Sequence, residues 1–362
     1  CGRCSLVRPG GGGAYKPAPA TQCRSGMGRY IVRRLLGALV VVWVVSVITF
    51  AIFMIVPKIT HASPAYLYVG KISTPAQVKA VEHNFGLDLP IPEQYANYIT
   101  HIVKGYTVTD GYSPTYCSAP CFGYSFRQNR DVTELLKSRF TVTLGLAIGA
   151  SILWLLGGLS VGIISALKRG TWIDRIAMII ALAGVSLPVY FTGLMLLTVF
   201  SYGPAWLRWV PDPTFHPFSQ NPILFLKSMI LPWISLAFLF AALYARLTRA
   251  SMLDTMGEDY IRTARAKGLS ERKVISKHAL RSALTPIVTI FGLDLAGLLG
   301  GAILTEKTFS LPGLGALAVD AIAVQDLPVI MGVTIVGSIF IVVANVIVDL
   351  LYGVVDPRVT YK

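Results

Sequence analysis

Long uninterrupted apolar runs, rather than short amphipathic repeats, dominate the chain. A helix that crosses a bilayer needs about 20 mostly apolar residues, because each residue advances it by about 1.5 Å. Residues 35–56, 140–167, 228–245 and 327–348 carry no charge, and an uncharged run extends over 176–207. Residues 282–305 are apolar apart from Asp294. The pattern predicts six transmembrane helices and therefore an all-α, polytopic membrane protein.

The intervening segments differ in kind. Residues 1–26 are Gly/Pro-rich without apolar periodicity and read as a disordered extension, with Met27 as a natural start. Cys1, Cys4 and Cys23 in that stretch fall short of a four-ligand zinc set and read as exposed thiols. The first helix occupies 27–56, and its length argues against a cleaved leader. Residues 57–139 carry helical signals of their own. Thr74-Pro75-Ala76-Gln77 is a capping box, with Gly86 as that helix's end. Ile91, Tyr95, Tyr98 and Ile102 form an apolar stripe that stops at Gly105. Asp131 and Glu134 repeat the cap-and-carboxylate pattern ahead of the core at 140–362, which holds the other five spans.

Composition narrows the class. Hydrophobic residues make up 54% of the 362 positions and charged ones 14%, against about 25% charged in a soluble domain. Mean hydropathy is +0.62. An ordinary soluble enzyme and a disordered chain are both excluded. A net charge of +14 would suggest nucleic acid in a soluble protein. In a membrane chain it is topological, since cytoplasmic loops collect Lys and Arg. Arg29, Arg33 and Arg34 precede the first span; Lys168, Arg169 and Arg175 follow the second; nine basic residues lie within 246–284; Arg358 and Lys362 close the chain. Both termini are therefore expected in the cytoplasm, and residues 57–139 outside. Membrane lipid is a partner and nucleic acid is not. Cys117 and Cys121 fall on the oxidising side, which favours a local disulfide over two free thiols in a turn.

The loop at 246–284 carries the mechanism. Glu258 and Asp259 sit where a helix N-terminus welcomes negative charge, and Glu258 and Arg262 are spaced as a favourable pair. Tyr260, Ile261 and Ala264 share one face. Gly268 suits a helix end in the left-handed conformation. Ser270 caps a second helix bearing Val274, Ile275, Ala279, Leu280 and Ala283, and Pro286 opens the next span. A short helix, a Gly turn and a helix continuous with a span could pass a push from a soluble partner into the membrane. A basic loop lying on anionic lipid would show the same charge.

The run Asp259-Tyr260-Ile261-Arg262-Thr263-Ala264-Arg265-Ala266-Lys267-Gly268-Leu269 resembles the cytoplasmic loop of ABC importer permeases. Of that loop's general pattern, Ala264, Gly268 and Leu280 match. The departures resemble the dipeptide/oligopeptide/nickel branch. Phe85 to Tyr95, Gly123 to Phe126, Ser186-Leu187-Pro188, Glu306 to Gly315, Asp326 to Ile330 and Asp349 to Arg358 are similar to further signatures of that branch, in the same order. The resemblance implies the type I importer permease fold and a role in moving peptides or peptide-like solutes across the cytoplasmic (inner) membrane of a prokaryote. It also implies a second permease subunit, two ATPase subunits and an extracytoplasmic solute-binding protein. ATP and Mg would be bound by the ATPases, with no cofactor on this chain.

Asp294 either lines the solute path or locks helices together. Gly297 and Gly301, four apart, suit close packing of the fifth span, and Pro188 is expected to kink the third. None of His61, His83, His101, His216 and His278 forms a metal-spaced pair, so no metal site is expected. A G-x-x-x-x-G-K-[ST] phosphate loop, G-x-S-x-G and H-E-x-x-H are all absent, and no catalytic residue is assigned. The alternative from another class is an ion- or proton-coupled carrier using Asp294, for which one carboxylate is thin support.

Overall fold

The computed structural model describes residues 21–59, 65, 79, 82–83, 86–109, 114–210, 214–299 and 302–355, with side chains described from residue 32 and omitting 56–59 and 349–355. The capping box at Thr74 lies outside these residues. Helix α1 spans Thr21–Ile59. It begins inside the stretch read as a disordered extension, so residues 21–26 are helical.

Among the described residues five helices are long and apolar enough to cross a membrane, and a bent pair makes six if it is one span. After α1 come α2 (Ile91–Lys104) and α3 (Val132–Leu167). The bent pair is α4 (Trp172–Ser186) and α5 (Val189–Phe200). Helix α6 is Pro222–Gly257, and α7 is Asp259–Ala266. Helix α8 runs Glu271–Leu299 with a π turn at Val274–Ala279. Two short helices, α9 (Ile303–Thr308) and α10 (Leu314–Val324), precede α11 (Leu327–Val355).

Two expectations change here. Pro188 breaks the third span instead of kinking it: α4 and α5 meet at 104°. Leu187 is extended (φ −89°, ψ 128°), because the residue before proline is driven out of the helical region. Pro286 lies inside α8, so α8 begins at Glu271.

The core is built on the pairing of α3 with α6. A side chain at Gly158 would meet Tyr244 Cβ at 2.6 Å, and one at Gly162 would meet the Ala245 carbonyl at 2.7 Å. Only glycine lets these backbones approach so closely. Trp154 and Tyr244 are wholly buried where the helices cross, and Trp154 stacks on Phe240 at 4.7 Å. Asn221 caps α6 by accepting from the amides of Ile223 and Leu224.

The outer segment, read for its helical signals, also holds two small antiparallel ladders. β1 (Tyr106–Thr109) pairs with β2 (Pro114–Cys117), and β3 (Tyr124–Ser125) pairs with β4 (Arg130–Asp131). The α2 stripe packs on α1 through Phe50, Met54, Ile91, Tyr95 and Tyr98, and Gly105 ends the helix at φ 74°. Asp131 stands at the N-cap of α3, but its side chain caps nothing.

Candidate functional site

Two ends of the bundle carry organised polar structure. At one, α7 projects from the end of α6 and turns back into α8. Ile261 and Ala264 are buried with Ala166, Met252, Val274, Ala279 and Ala283. Ile261 therefore anchors the loop onto α3, α6 and α8. Leu269 packs against the same cluster. Gly268 holds φ 74°, as its position after the helix end requires. Nothing lies within 4 Å of where its side chain would be.

Arg265 grips Glu271 through two hydrogen bonds, 2.6 and 3.1 Å, across the Gly268 turn. Tyr260 departs from the expected apolar face: it is exposed and its hydroxyl donates to Ser282 Oγ at 2.9 Å. Arg262 pairs with Asp259 at 3.6 Å, one residue nearer than the expected Glu258 partner. Asp259, Arg262, Thr263, Ala266, Lys267 and Gly268 are all exposed. The loop thus presents a charged outer face on a rigid apolar base.

Just inside this end lies a polar node absent from the sequence reading. Arg249 Nε and Nη2 donate to the two oxygens of Asp174 at 2.7 and 2.8 Å. Ser165 Oγ and the Gly170 amide also donate to that carboxylate. One buried group thereby ties α3, α4 and α6 directly beneath the loop.

Deeper in the bundle, Asp294 accepts from Tyr244 Oη at 2.8 Å, a contact between α8 and α6. Among the described residues nothing lies within 4 Å of the side-chain position of Gly297, whereas a side chain at Gly292 would collide with Val348. Within α8, Gly292 is the glycine packed against α11. Gly301 lies outside the described residues.

At the far end, Cys117 and Cys121 form a disulfide. Glu306 is fully buried. Its Oε1 accepts from Thr143 Oγ1 at 2.7 Å and its Oε2 from the Ala316 amide at 2.7 Å. It therefore caps α10, whose own N-cap, Gly313, has no side chain to do so. A Cβ at Gly313 would lie 2.2 Å from that carboxylate. Thr143 Oγ1 also accepts from the Leu314 amide at 2.9 Å. Burial pushes Glu306 above the usual carboxylate range, outweighing these donors. Asp326, likewise buried and raised, accepts from Ser125 Oγ and ties β3 to the start of α11. Among the described residues no cluster of His, Cys, Asp and Glu could hold a metal.

Five helices long and apolar enough to cross a membrane, a bent apolar pair, a projecting basic loop seated on the helix ends and polar locks at both ends define a polytopic transport permease. Residues 158–361 match the family described as binding-protein-dependent transport system inner membrane component. Residues 27–147 match the corresponding N-terminal family. The chain belongs to this family: it is a membrane-spanning permease subunit of an ABC importer, of the peptide/nickel type, and a transport subunit rather than an enzyme. It is a multi-pass inner-membrane protein with ATPase and solute-binding-protein partners.

Among its relatives, the glutathione transport system permease protein GsiC of Escherichia coli K12 is 37% identical over 333 residues, covering 92% of this chain and 99% of the relative. GsiC of Salmonella choleraesuis is 36% identical over the same span. The inward-facing MetNI methionine ABC transporter aligns with 62% of this chain and 97% of its own, at TM-score 0.48 and 17% identity.

Proposed function

We propose that this permease carries peptides or peptide-like solutes, pairs with a second, different permease subunit, and is driven by two ATPase subunits that bind ATP and Mg. Both termini and the α7 loop face the cytoplasm, and residues 57–139 face outward. The basic residues flanking the spans support that orientation. The solute class is supported by the branch-specific loop sequence and by relatives whose function is glutathione transport.

The observation that carries the reading is the loop from Asp259 to Leu269. Its outer face is exposed, while Ile261 and Ala264 are fixed to three span ends. A protein seated on α7 cannot move it without moving α6 and α8. ATP-driven closure of the ATPase pair then switches access through differential contacts in two states. The test is Gly268→Asp in the assembled importer. It adds a charge to an exposed, left-handed turn without touching the chain's own packing. Uptake should be lost while membrane insertion stays normal; normal uptake would overturn the coupling role.

A further inference from the structure

The far end of the bundle holds an open cavity of about 660 Å³, within the size range of small-molecule sites. Arg127, Arg139 and Lys307 line it, together with Glu306 and Asp320. Both acids are committed. Asp320 holds Lys307, and Glu306 gives one oxygen to Thr143 and the other to the Ala316 amide. Arg139 is different: its charge acts on Glu306, but its Nε is buried and has no hydrogen-bond partner among the described residues. A buried donor left without an acceptor is costly. The part of the guanidinium that lines the open cavity is suited to a carboxylate. Arg127 stands exposed at the rim and adds a second positive charge.

Another part of the lining is held in place. The 306–316 turn is pinned through Glu306 and Thr143, so the cavity need not be organised by its occupant. We infer that this cavity is the permease's subsite for the carboxylate of the solute in transit, with Arg139 as the binding group and Arg127 at its mouth. The inference rests on the peptide-like solute proposed above. A peptide terminus supplies a carboxylate for the guanidinium face that lines the cavity, and it arrives on the side where the solute is delivered.

The probe is phenylglyoxal, which adds to accessible guanidinium groups. Adduct formation at Arg139 is read by peptide mass spectrometry, in the full chain assembled with its partner subunits. Triglycine at about ten times its dissociation constant should slow labelling of Arg139 about tenfold, because labelling tracks the unliganded fraction. Triglycine amide should leave it unchanged, and Arg281 on the loop should respond to neither. Equal labelling with and without triglycine, or equal slowing by acid and amide, overturns the inference. Slowing by the solute-free binding protein alone also overturns it, because a docking acidic residue would then be the occupant. If the wild-type importer carries no tripeptide while triglycine still shields Arg139, the peptide reading falls and the carboxylate subsite stands. Tripeptide uptake without shielding sinks the subsite alone.

Discussion

Arg265 and Glu271 close the Gly268 turn like a clasp, with both guanidinium bonds landing on one carboxylate at 2.6 and 3.1 Å. The pair is partly exposed, so it adds little to global stability. Its consequence is angular: it fixes how α7 leaves α8. Arg265→Lys keeps the charge but loses the two-pronged grip. We expect near-normal melting, with solute-stimulated ATP hydrolysis in the assembled importer falling several-fold. Unchanged stimulation would show that the clasp does not set the angle.

Gly268 gives a graded series. At φ 74° an alanine carries a backbone penalty of about 1 kcal/mol, whereas asparagine tolerates the left-handed region better. Uptake should fall in the order Gly, Asn, Ala, Asp, with the last step exceeding what backbone strain alone would cause. The order is checked by labelled-solute uptake normalised to inserted protein.

Asp174→Asn should lower the melting temperature in detergent, because it leaves Arg249 facing a neutral amide among three helices. Asp174→Asn combined with Arg249→Gln should cost less than the sum of the single changes, since the pair acts as one unit. Strict additivity would mean the two residues do not couple.

Asp294→Asn distinguishes the two uses of an intramembrane acid. The amide oxygen can still accept from Tyr244 Oη, so a helix-locking residue keeps its bond and uptake stays near normal. An ion-coupled carrier would lose transport altogether. Asp294→Leu should destabilise the chain in either case by stranding the Tyr244 hydroxyl.

The far end should respond to pH. Burial raises Glu306, Asp326 and Asp131 above their usual values. A folded state that holds protons more tightly than the unfolded state is stabilised by acid. That contribution is present below the ordinary carboxylate range and is lost as pH rises through the raised values. Hydrogen exchange, corrected for intrinsic rates, should show the 309–316 turn and the β3–β4 ladder opening more readily at pH 8 than at pH 5. Glu306→Gln should flatten part of that slope.

The spans were legible because twenty-residue apolar windows have no soluble counterpart, and the loop because Gly268 and Ser270 mark helix boundaries locally. The third span was misread at Pro188. Its hydropathy is continuous, and the break depends on Leu187 being driven extended. The Asp174–Arg249 lock escaped notice because the partners are 75 residues apart. Glu306 stood out only within a family-like motif. Its capping role depends on Thr143 arriving from another helix, which no local pattern encodes. Asp131 shows the reverse, a good capping sequence whose carboxylate makes no cap hydrogen bond.

One consequence follows from the unbroken run of α8. Twenty-nine residues from Glu271 to Leu299 make a rod of about 43 Å. It is clasped at one end and passes Tyr244 on its way to the opposite surface. A rod of about 43 Å that swings by about 5° shifts its tip by about 4 Å if it stays straight. A small rotation at the α7 end is thus geared up into a displacement as wide as a peptide backbone.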